Sequence, residues 1–427
     1  MHTKKFYNIG KELFPLFRSI TGKGTLKTLK TIKKTFPDLK IKKIKSGTQV
    51  FDWNIPPEWI INKAYILDKF GKKIVDIKNH NLHLVSYSKP IKKKIFKKEL
   101  IKKLYSLEKI PNAIPYVTSY YNRDWGFCIK HNQKKKIIKN YKNNDKFFVN
   151  IESSFLNSGN LNYADLILPG KSKKEILIST YVCHPSMANN ELSGPIVSMA
   201  LINYFRKKTK NYTLRFVFLP ETIGSIAYLN KNYLHLKKYV IGGFNLSCIG
   251  DEKMYSCIFS KYKNTQADKA LIQAYKKLKI KFKEFSFLER GSDERQYNSP
   301  GIDLPICSVF RSKFGEYKEY HTSLDNFDLV TPKGIEGGFK IIKKTIEILQ
   351  KKIIPINKIL CEPRLSKKNL YPKITTKKNI KLSKLYLSFL QYSDGKNDLT
   401  EISNYLEISL KKTIYLFNKL KRNKLIY

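Results

Sequence analysis

The chain has 427 residues, too many for one ordinary domain and suitable for two or three at roughly 150 residues each. Its 42% hydrophobic content excludes a wholly disordered chain. Lysine and arginine number 82 against 34 acidic residues, giving a net charge of +48, but only nine of the 82 are arginine. Nucleic-acid sites favour arginine, which contacts phosphates and base edges through paired donors. We therefore interpret the excess lysine mainly as a solvated coat.

No apolar run approaches the roughly 20 residues that a membrane-spanning helix needs, and the first residues lack the apolar core of a secretory signal. The six cysteines are scattered without a CxxC pair, which argues against a disulfide framework or a thiolate zinc cluster. We expect a cytoplasmic protein without a membrane span.

Three textures follow one another along the chain. Residues 1–47 carry apolar side chains at helical spacing, with a stop at Thr21 and Gly22. Residues 48–147 consist of short runs broken by proline and glycine, which predicts an inserted β-rich domain. From 148 to 355, strand-like apolar runs alternate with helical stretches, ending in a long helix from about 333 to 352. This alternation predicts an α/β domain formed by 1–47 and 148–355, with a mostly parallel sheet covered on both faces.

The carboxyl-terminal part, 360–427, shows three short helical patterns after a lysine-rich linker. Asp398 and Glu401 stand at capping-box spacing at the start of the second helix. Three helices with a tight turn predict a winged-helix-like domain. Its last helix is rich in lysine, so nucleic acid is one candidate partner. The rest of the chain is equally basic, and such modules also mediate docking or the formation of a homo-oligomer.

Polar residues follow two predicted strands of the α/β domain. The strand EILISTYV leads directly into His184, and Glu191 follows at the start of a helix. The strand TLRFVFLP is followed by Glu221. A histidine at a strand end is often structural, and a carboxylate there can also serve a helix amino terminus. A carboxylate after a buried strand is otherwise costly unless it is paired, protonated or bound to a cation.

A third polar cluster lies further along the chain. It begins at Arg290 with the sequence RGSDERQY, which includes Asp293, and continues after the strand LPICSVF with Arg311 and His321. Thr322 and Asp325 follow His321 closely and are candidates to fix its tautomer. Two histidines and several carboxylates after separate strands suit a zinc site in a hydrolase, because zinc accepts both ligand types and activates water.

Several ordered motifs give the chain a family resemblance. The segments are STYVCHPSMANNELSGP, LPETIGSIAYL, RGSDERQYNSPGIDLP and EYHTSLDN, with IPYVTSYYNRDWGFC upstream. Together they resemble the aminopeptidase-like proteins found among polysaccharide-biosynthesis genes, within the wider zinc aminopeptidase and glutaminyl-cyclase superfamily. The resemblance covers nearly the whole chain and implies a zinc-aminopeptidase-like fold with a β-rich insertion and a winged-helix module.

The resemblance also implies the metal site. His184 and His321 match the superfamily's first and last metal-binding histidines, and Glu191 is the expected carboxylate ligand. The aspartate that bridges two metals falls on Asn190, and a second metal-binding aspartate falls on Asn245. Neutral amides bring no charge to offset two dications, so we expect one zinc ion. Asn190 is the weaker candidate ligand and is expected to contact substrate.

The remaining roles fall on four residues. The superfamily's paired glutamates are represented by Glu221, which we expect to be the general base or a third ligand. The superfamily's Asp-His pair becomes Asp293 and Glu294, and Asp293 would orient substrate, share a proton or reach the metal. Arg290 and Arg311 are expected to bind substrate, since an arginine fork can hold a carboxylate.

Two functional hypotheses result. The first is a zinc-dependent hydrolase that activates water to cleave an amide or peptide bond in a small molecule, a peptide or an amino sugar. The second is a catalytically degenerate binding or regulatory module that uses the winged-helix tail, which the neutral Asn190 and Asn245 favour.

Overall fold

The structure is a computed structural model that describes residues 3–371 and 377–427. Among these residues, every helix is too short or too polar to cross a lipid bilayer. In chain order the helices are α1 (Lys4–Leu13), α2 (Lys23–Thr35), α3 (Lys97–Lys102), α4 (His131–Asn140), α5 (Ser193–Arg206), α6 (Ile223–Tyr239), α7 (Gln266–Lys277), α8 (Glu294–Tyr297), α9 (Pro332–Lys351), α10 (Lys377–Gln391), α11 (Leu399–Tyr405) and α12 (Leu410–Arg422).

The strands form two principal sheets and two small ones. In chain order they are β1 (Lys40–Lys45), β2 (Gln49–Val50), β3 (Trp53–Asn54), β4 (Glu58–Leu67), β5 (Lys73–Asp76), β6 (Ile91–Phe96), β7 (Leu104–Tyr105), β8 (Phe127–Cys128), β9 (Lys146–Leu156), β10 (Asn160–Leu168), β11 (Ser172–Tyr181), β12 (Tyr212–Leu219), β13 (Val240–Leu246), β14 (Ser256–Ile258), β15 (Lys283–Phe285) and β16 (Ile306–Phe310).

The large sheet has eight strands in the order β1-β10-β12-β11-β13-β16-β14-β15. Its centre, from β12 through β11 and β13 to β16, is parallel, and β1, β10 and β14 pair in antiparallel fashion. β12 and β13 are buried along their whole length. Strands covered on both faces need continuous apolar runs, which is why these segments are recognisable in the sequence.

Each face of the large sheet has its own cover. Residues of α1, α2, α5, α7 and α9 pack on one face and form one apolar core. Residues of α6 and of the 48–156 region pack with the other face in a second core. The mostly parallel, doubly covered sheet predicted from the sequence is therefore confirmed.

The second sheet is antiparallel and has the order β5-β4-β9-β6. Its strand β9 pairs with β4 over most of its length and with β6 on the other side. The boundary placed at residue 148 from the sequence therefore lies inside β9, which belongs to the β-rich part. The mostly buried run FFVNI resembles a strand of the parallel sheet, but residues 152–156, which end β9, alternate between exposed and half-buried positions.

The amino-terminal segment differs from its predicted helical course. α1 ends at Leu13, and α2 begins at Lys23. Pro15 has no backbone N–H to donate to the preceding turn, so the helix does not continue through the apolar residues that follow. The stretch between the helices is instead irregular and brings Arg18 into the interior, where its side chain is 0% exposed.

The tail packs its three helices around a separate small core. Asp398 and Glu401 form the predicted capping box, with Asp398 Oδ1 accepting from the Thr400 amide at 2.9 Å. Lys352 joins the tail to the α/β part, since its Nζ lies 2.6 Å from Asp398 Oδ2. Ile356 and Asn357 already pair with tail residues, so the tail's contacts begin before residue 360.

The start of α5 depends on a glycine. A Cβ at Gly194 would collide with Thr180 Oγ1 and with the Leu246 carbonyl oxygen. We expect Gly194→Ala to lower the free energy of unfolding by about 1–3 kcal/mol, because strand and helix would have to separate. Urea unfolding measures this. Ser198→Ala in the same helix is the control, because the Ser198 hydroxyl is buried without a hydrogen-bond partner in the described residues. Equal stability of the two variants would contradict the prediction.

Candidate active site

Two of the predicted side chains meet beyond the carboxyl ends of neighbouring strands. β11 ends at Tyr181 and β12 at Leu219, and the two strands are parallel neighbours. Their following residues therefore emerge at one edge of the sheet, where open α/β folds bind ligands. His184 Nε2 lies 3.6 Å from Glu221 Oε2 there.

A carboxylate fixes the orientation of the first histidine. His184 Nδ1 lies 2.8 Å from Glu191 Oε2, which also accepts from the Cys183 amide at 2.9 Å. Glu191 stands on the π-helical turn Ala188–Leu192 that precedes α5. Because Nδ1 is engaged, Nε2 is the ring nitrogen that faces Glu221.

Arg18 neutralises that carboxylate. Its Nε lies 2.7 Å from Glu191 Oε1 and 2.9 Å from the His184 carbonyl oxygen, and both charged side chains are 0% exposed. A buried carboxylate without such a partner would be strongly destabilised. No motif in the sequence predicts this role for Arg18. Its signal is a single arginine inside the apolar run LFPLFRSI.

The second histidine stands across the site. The ring centroids of His184 and His321 are 5.5 Å apart, and the Tyr116 ring contacts both at 5.2 and 5.1 Å. His321 has a φ of 54°, an unusual conformation for a residue with a Cβ. Its Nε2 is buried and has no hydrogen-bond partner in the part of the chain that the structure describes.

The β-rich part supplies one wall of this site. The Tyr116 amide donates to the His321 carbonyl oxygen at 2.8 Å, and the Ser323 amide donates to the Ile114 carbonyl oxygen at 2.8 Å. These backbone bonds hold Tyr116 over the two imidazoles. The sequence does not predict this role for Tyr116, although the segment IPYVTSYY belongs to the family pattern.

Asp293 lies beneath Glu221 and holds the neighbouring backbone. Asp293 Oδ1 accepts from the Thr222 amide and the Ser225 hydroxyl, each at 2.8 Å. Thr222 has a φ of 61°, which is strained for a β-branched residue. Glu221 Oε1 accepts from the Ser292 hydroxyl at 2.7 Å. Asp293 Oδ2 is buried and meets no hydrogen-bond partner within the described chain.

Burial and neighbouring charges shift the pKa values of the acidic groups and the two histidines in different directions. It raises the pKa of Asp293 to about 7, together with repulsion from Glu221, and it also raises the pKa of Glu221. Burial and repulsion from His184 lower the pKa of His321 to about 3. Burial alone would disfavour the imidazolium of His184, but Cys183, Tyr116 and Glu191 raise its pKa well above the ordinary value. Groups shifted in opposite directions are typical of acid–base chemistry.

His184 and Glu221 stand at the separation that two ligands of one metal ion need. Two ligands at about 2.0–2.1 Å from a tetrahedral zinc lie about 3.4 Å apart, close to the separation of His184 Nε2 and Glu221 Oε2. The unpartnered His321 Nε2 is a third donor of the right type, although it does not lie within 4.8 Å of both other donor atoms. Cys183, His184 and Glu191 are the described residues with ligand atoms all within 4.8 Å of one another. That closer group suits a metal less well, because both Glu191 oxygens already bond to Arg18, His184 and backbone amides.

Two predicted contacts of the metal site are different in the structure. Glu191 lies beside His184 as expected, but it contacts Nδ1 and Arg18 instead of facing the Nε2 side. Asp325 does not hold His321, because its carboxylate accepts from the backbone amides of residues 188–190, with Asn190 N at 2.9 Å from Oδ2. It fixes the π-helical turn.

The two amides are both buried. Asn190 donates to the Tyr181 hydroxyl at 2.9 Å, and Asn245 lies 3.3 Å from Glu294 Oε2. Their Oδ1 atoms have no hydrogen-bond partner among the described residues. Glu294 accepts from the backbone amides of Gly291 and Ser292, so it shapes the loop before α8.

The predicted arginines lie elsewhere. Arg290 is exposed, and its guanidinium stands 5.1 Å from the Phe287 ring, beside a different cavity. Arg311 donates to the Met254 carbonyl oxygen and stacks on Tyr255 at 3.8 Å. The assignment of both to substrate binding is not supported by these positions. Arg295, from the same sequence motif, lines the cavity of His184 and Glu221 instead.

That cavity encloses about 350 Å³. His184, Glu221 and His321 line it, whereas Asp293 lies behind its wall. Its other lining residues include the aromatic and hydroxyl side chains of Trp53, Tyr116, Thr118, Tyr120, Tyr121 and Thr222. A small apolar cavity with convergent polar groups is the usual form of a ligand site.

The Arg18 pair gives a testable stability effect. We expect Arg18→Ala to lower the free energy of unfolding by about 3–5 kcal/mol, since it leaves Glu191 buried without a partner. Arg206→Ala is the control, because Arg206 pairs with Asp38 at the surface, where side chains are 37% and 51% exposed. That change should cost about 1 kcal/mol or less. Denaturant unfolding that ranks the two variants the other way would contradict this account.

Comparison with known proteins identifies the families that the two parts of the chain match. Residues 7–352 match the family model described as a domain of unknown function, DUF4910, and residues 353–427 match a winged helix-turn-helix family. A relative from Clostridium acetobutylicum is 37% identical over 429 residues, which cover 99% of this chain and 96% of the relative. Its name describes a polysaccharide biosynthesis protein with an aminopeptidase-like domain.

Solved structures agree. A crystal structure from Clostridium acetobutylicum, described as a peptidase, has a TM-score of 0.79 at 35% identity and covers 99% of this chain and 96% of its own. A zinc aminopeptidase from Bacillus subtilis has a TM-score of 0.60 at 12% identity, over 81% and 93% of the two chains, which shows the fold alone. The predicted aminopeptidase-like resemblance is thus confirmed. The chain belongs to the DUF4910 family, with an aminopeptidase-like α/β fold and a carboxyl-terminal winged helix-turn-helix module.

Proposed function

We propose that the chain is a zinc-dependent hydrolase that activates water to cleave an amide or peptide bond. One observation carries the proposal: His184 Nε2 faces Glu221 at 3.6 Å while Glu191 engages Nδ1. A carboxylate behind the ligating imidazole is the usual arrangement of protein zinc sites, because it fixes the tautomer and raises the basicity of the ring.

His184, Glu221 and His321 would hold one ion. Zinc supplies a Lewis acid there and lowers the pKa of a bound water toward about 7. In this proposal Glu191 orients His184 and does not bind metal. The neutral Asn190 and Asn245 support one ion and not two.

Asp293 is the residue we assign to proton exchange. Its raised pKa of about 7 matches the value that a general base needs at neutral pH. Its Oδ1 is held by Thr222 and Ser225, which leaves Oδ2 free to exchange a proton. In this proposal Glu221 binds the metal and Asp293 exchanges the proton, two roles that a single glutamate cannot easily combine.

Metal content tests the ligand set. We expect purified protein to contain about one zinc per chain. His184→Ala, His321→Ala and Glu221→Gln should each weaken zinc affinity at least about tenfold, because the first two remove a donor and the third removes the negative charge of one. Inductively coupled plasma mass spectrometry after dialysis measures it. His235→Ala is the control, since the His235 side chain is 46% exposed and lies 2.9 Å from Glu175, outside the proposed ligand set. Metal-free protein, or equal zinc content in all variants, would contradict the proposal.

Asp293→Asn separates proton transfer from metal binding. We expect it to retain zinc and to lower turnover of an amide substrate by about 10²–10⁴-fold, the usual contribution of a general acid or base. Turnover is followed on a panel of aminoacyl and N-acetyl-sugar substrates. A variant that loses zinc, or one that hydrolyses at the parent rate, contradicts the assignment.

A second candidate function is a degenerate binding module that acts through the tail. Its support is the pair of buried amides and the basic surface of α12, where Lys411, Lys412 and Arg422 are exposed. Nucleic acid would be the partner. The homo-oligomer and the cytoplasmic location stay predictions, and tail-mediated docking is an alternative use of the same surface.

Salt dependence distinguishes the two functions. The hydrolase proposal expects weak, salt-sensitive DNA affinity that Lys411→Glu with Lys412→Glu lowers no more than charge reversal elsewhere, such as Lys340→Glu with Lys344→Glu on α9, because diffuse charge is additive. Fluorescence anisotropy at several salt concentrations measures it. Affinity abolished by the tail variant alone would favour the binding module.

A further inference from the structure

We propose that the β-rich part builds a carbohydrate-binding groove continuous with the candidate active site, and that the amide cleaved is carried by an oligosaccharide containing N-acetylated amino sugars. The proposal rests on the proposed hydrolase function for the reaction, but the groove stands on observations of its own.

Three cavities follow one another along the molecule. The active-site cavity shares Tyr120 and Tyr121 with a second cavity of about 350 Å³. It shares Trp53 with a third of about 400 Å³. Shared lining residues make these cavities neighbours, so the candidate active site adjoins two further concave surfaces. A substrate longer than one unit can therefore extend beyond the active-site cavity.

Exposed ring faces line this groove. Trp53 and Tyr121 are 39% and 52% exposed, and their rings meet edge to face at 5.6 Å. Phe51 is 44% exposed and meets Tyr233 at 6.0 Å in the third cavity. Large aromatic side chains exposed side by side mark interaction surfaces. The apolar C–H face of a sugar ring is the surface that such rings accept while its hydroxyls stay outward.

Planar polar groups stand among the rings. The Arg123 guanidinium lies 3.8 Å from the Phe155 ring centroid in the second cavity, which Asn54 and Asn157 also line. Stacking holds a guanidinium in one plane, so it loses little entropy when it donates hydrogen bonds. Amide and guanidinium groups bond to neighbouring hydroxyls in pairs. Rings with such groups between them suit a hydroxyl-rich ligand better than a purely apolar one.

The backbone beneath the groove is ordered before any ligand binds. β2 and β3 form a hairpin in which Val50 pairs with Trp53. The segment that carries Tyr120 is fixed by the Ser119 amide, which donates to the Ser86 carbonyl oxygen at 2.9 Å. A preformed site avoids the entropic cost of ordering loops on binding. Weak sugar contacts then suffice for measurable affinity.

Calorimetric titration of the full-length protein tests the groove. The probes are the β-linked N-acetylglucosamine hexamer, cellohexaose, which lacks the amide, and a glycine–serine hexapeptide. We expect the N-acetylated hexamer to bind with a dissociation constant below about 1 mM. Trp53→Ala, Tyr121→Ala and Arg123→Ala should each weaken it at least about tenfold. Tyr262→Ala is the matched control, since Tyr262 is 75% exposed and lies outside the three cavities.

The outcomes separate the groove from the hydrolase. Asp293→Asn should bind the hexamer like the parent even when it no longer hydrolyses amides. Hexamer binding by a metal-free, inactive protein would uphold the groove and refute the hydrolase. Cellohexaose binding as tightly as the N-acetylated hexamer would overturn the amino-sugar assignment. The groove itself is overturned if neither sugar binds, if the groove variants behave like Tyr262→Ala, or if the hexapeptide binds more tightly through the same residues.

Discussion

The buried pair of Arg18 and Glu191 is the interaction on which the site depends. It joins three parts of the chain, namely the irregular segment after α1, the π-helical turn and the end of β11. Neither charge would be tolerable alone in this interior. Because Glu191 also engages His184 Nδ1, the same contact that neutralises the carboxylate determines which nitrogen faces the cavity. The stability of the α/β part and the orientation of the imidazole are thus coupled.

Irregular backbone also occurs around this pair. A π-helical turn carries Glu191, and Thr222 and His321 both have positive φ. Such conformations cost free energy and persist where the surrounding structure holds them, which is typical of functional sites. Asp293 and Asp325 hold the backbone in these conformations, because their carboxylates accept hydrogen bonds from backbone amides. The carboxylates of this region therefore serve the backbone as much as any ligand.

The sequence predicted what local patterns encode. Continuous apolar runs identify β12 and β13, and the capping box of Asp398 identifies α11, because both signals lie within a few residues. Arg18 could not be assigned, since its partner lies 173 positions away. Arg290 and Arg311 were chosen for their nearness to a motif along the chain. Nearness along the chain does not determine where a side chain points, and it is Arg295 that points into the cavity.

The backbone bonds between the Ile114–Tyr116 segment and the His321–Ser323 segment have a consequence for ligand exchange. They join the β-rich wall to the α/β wall directly beside the two histidines and together form one antiparallel bridge between Pro115 and Thr322. Separation of the two walls at this edge would break both of these hydrogen bonds at once. A ligand of the proposed groove would therefore have to enter along the groove, with its two walls held together.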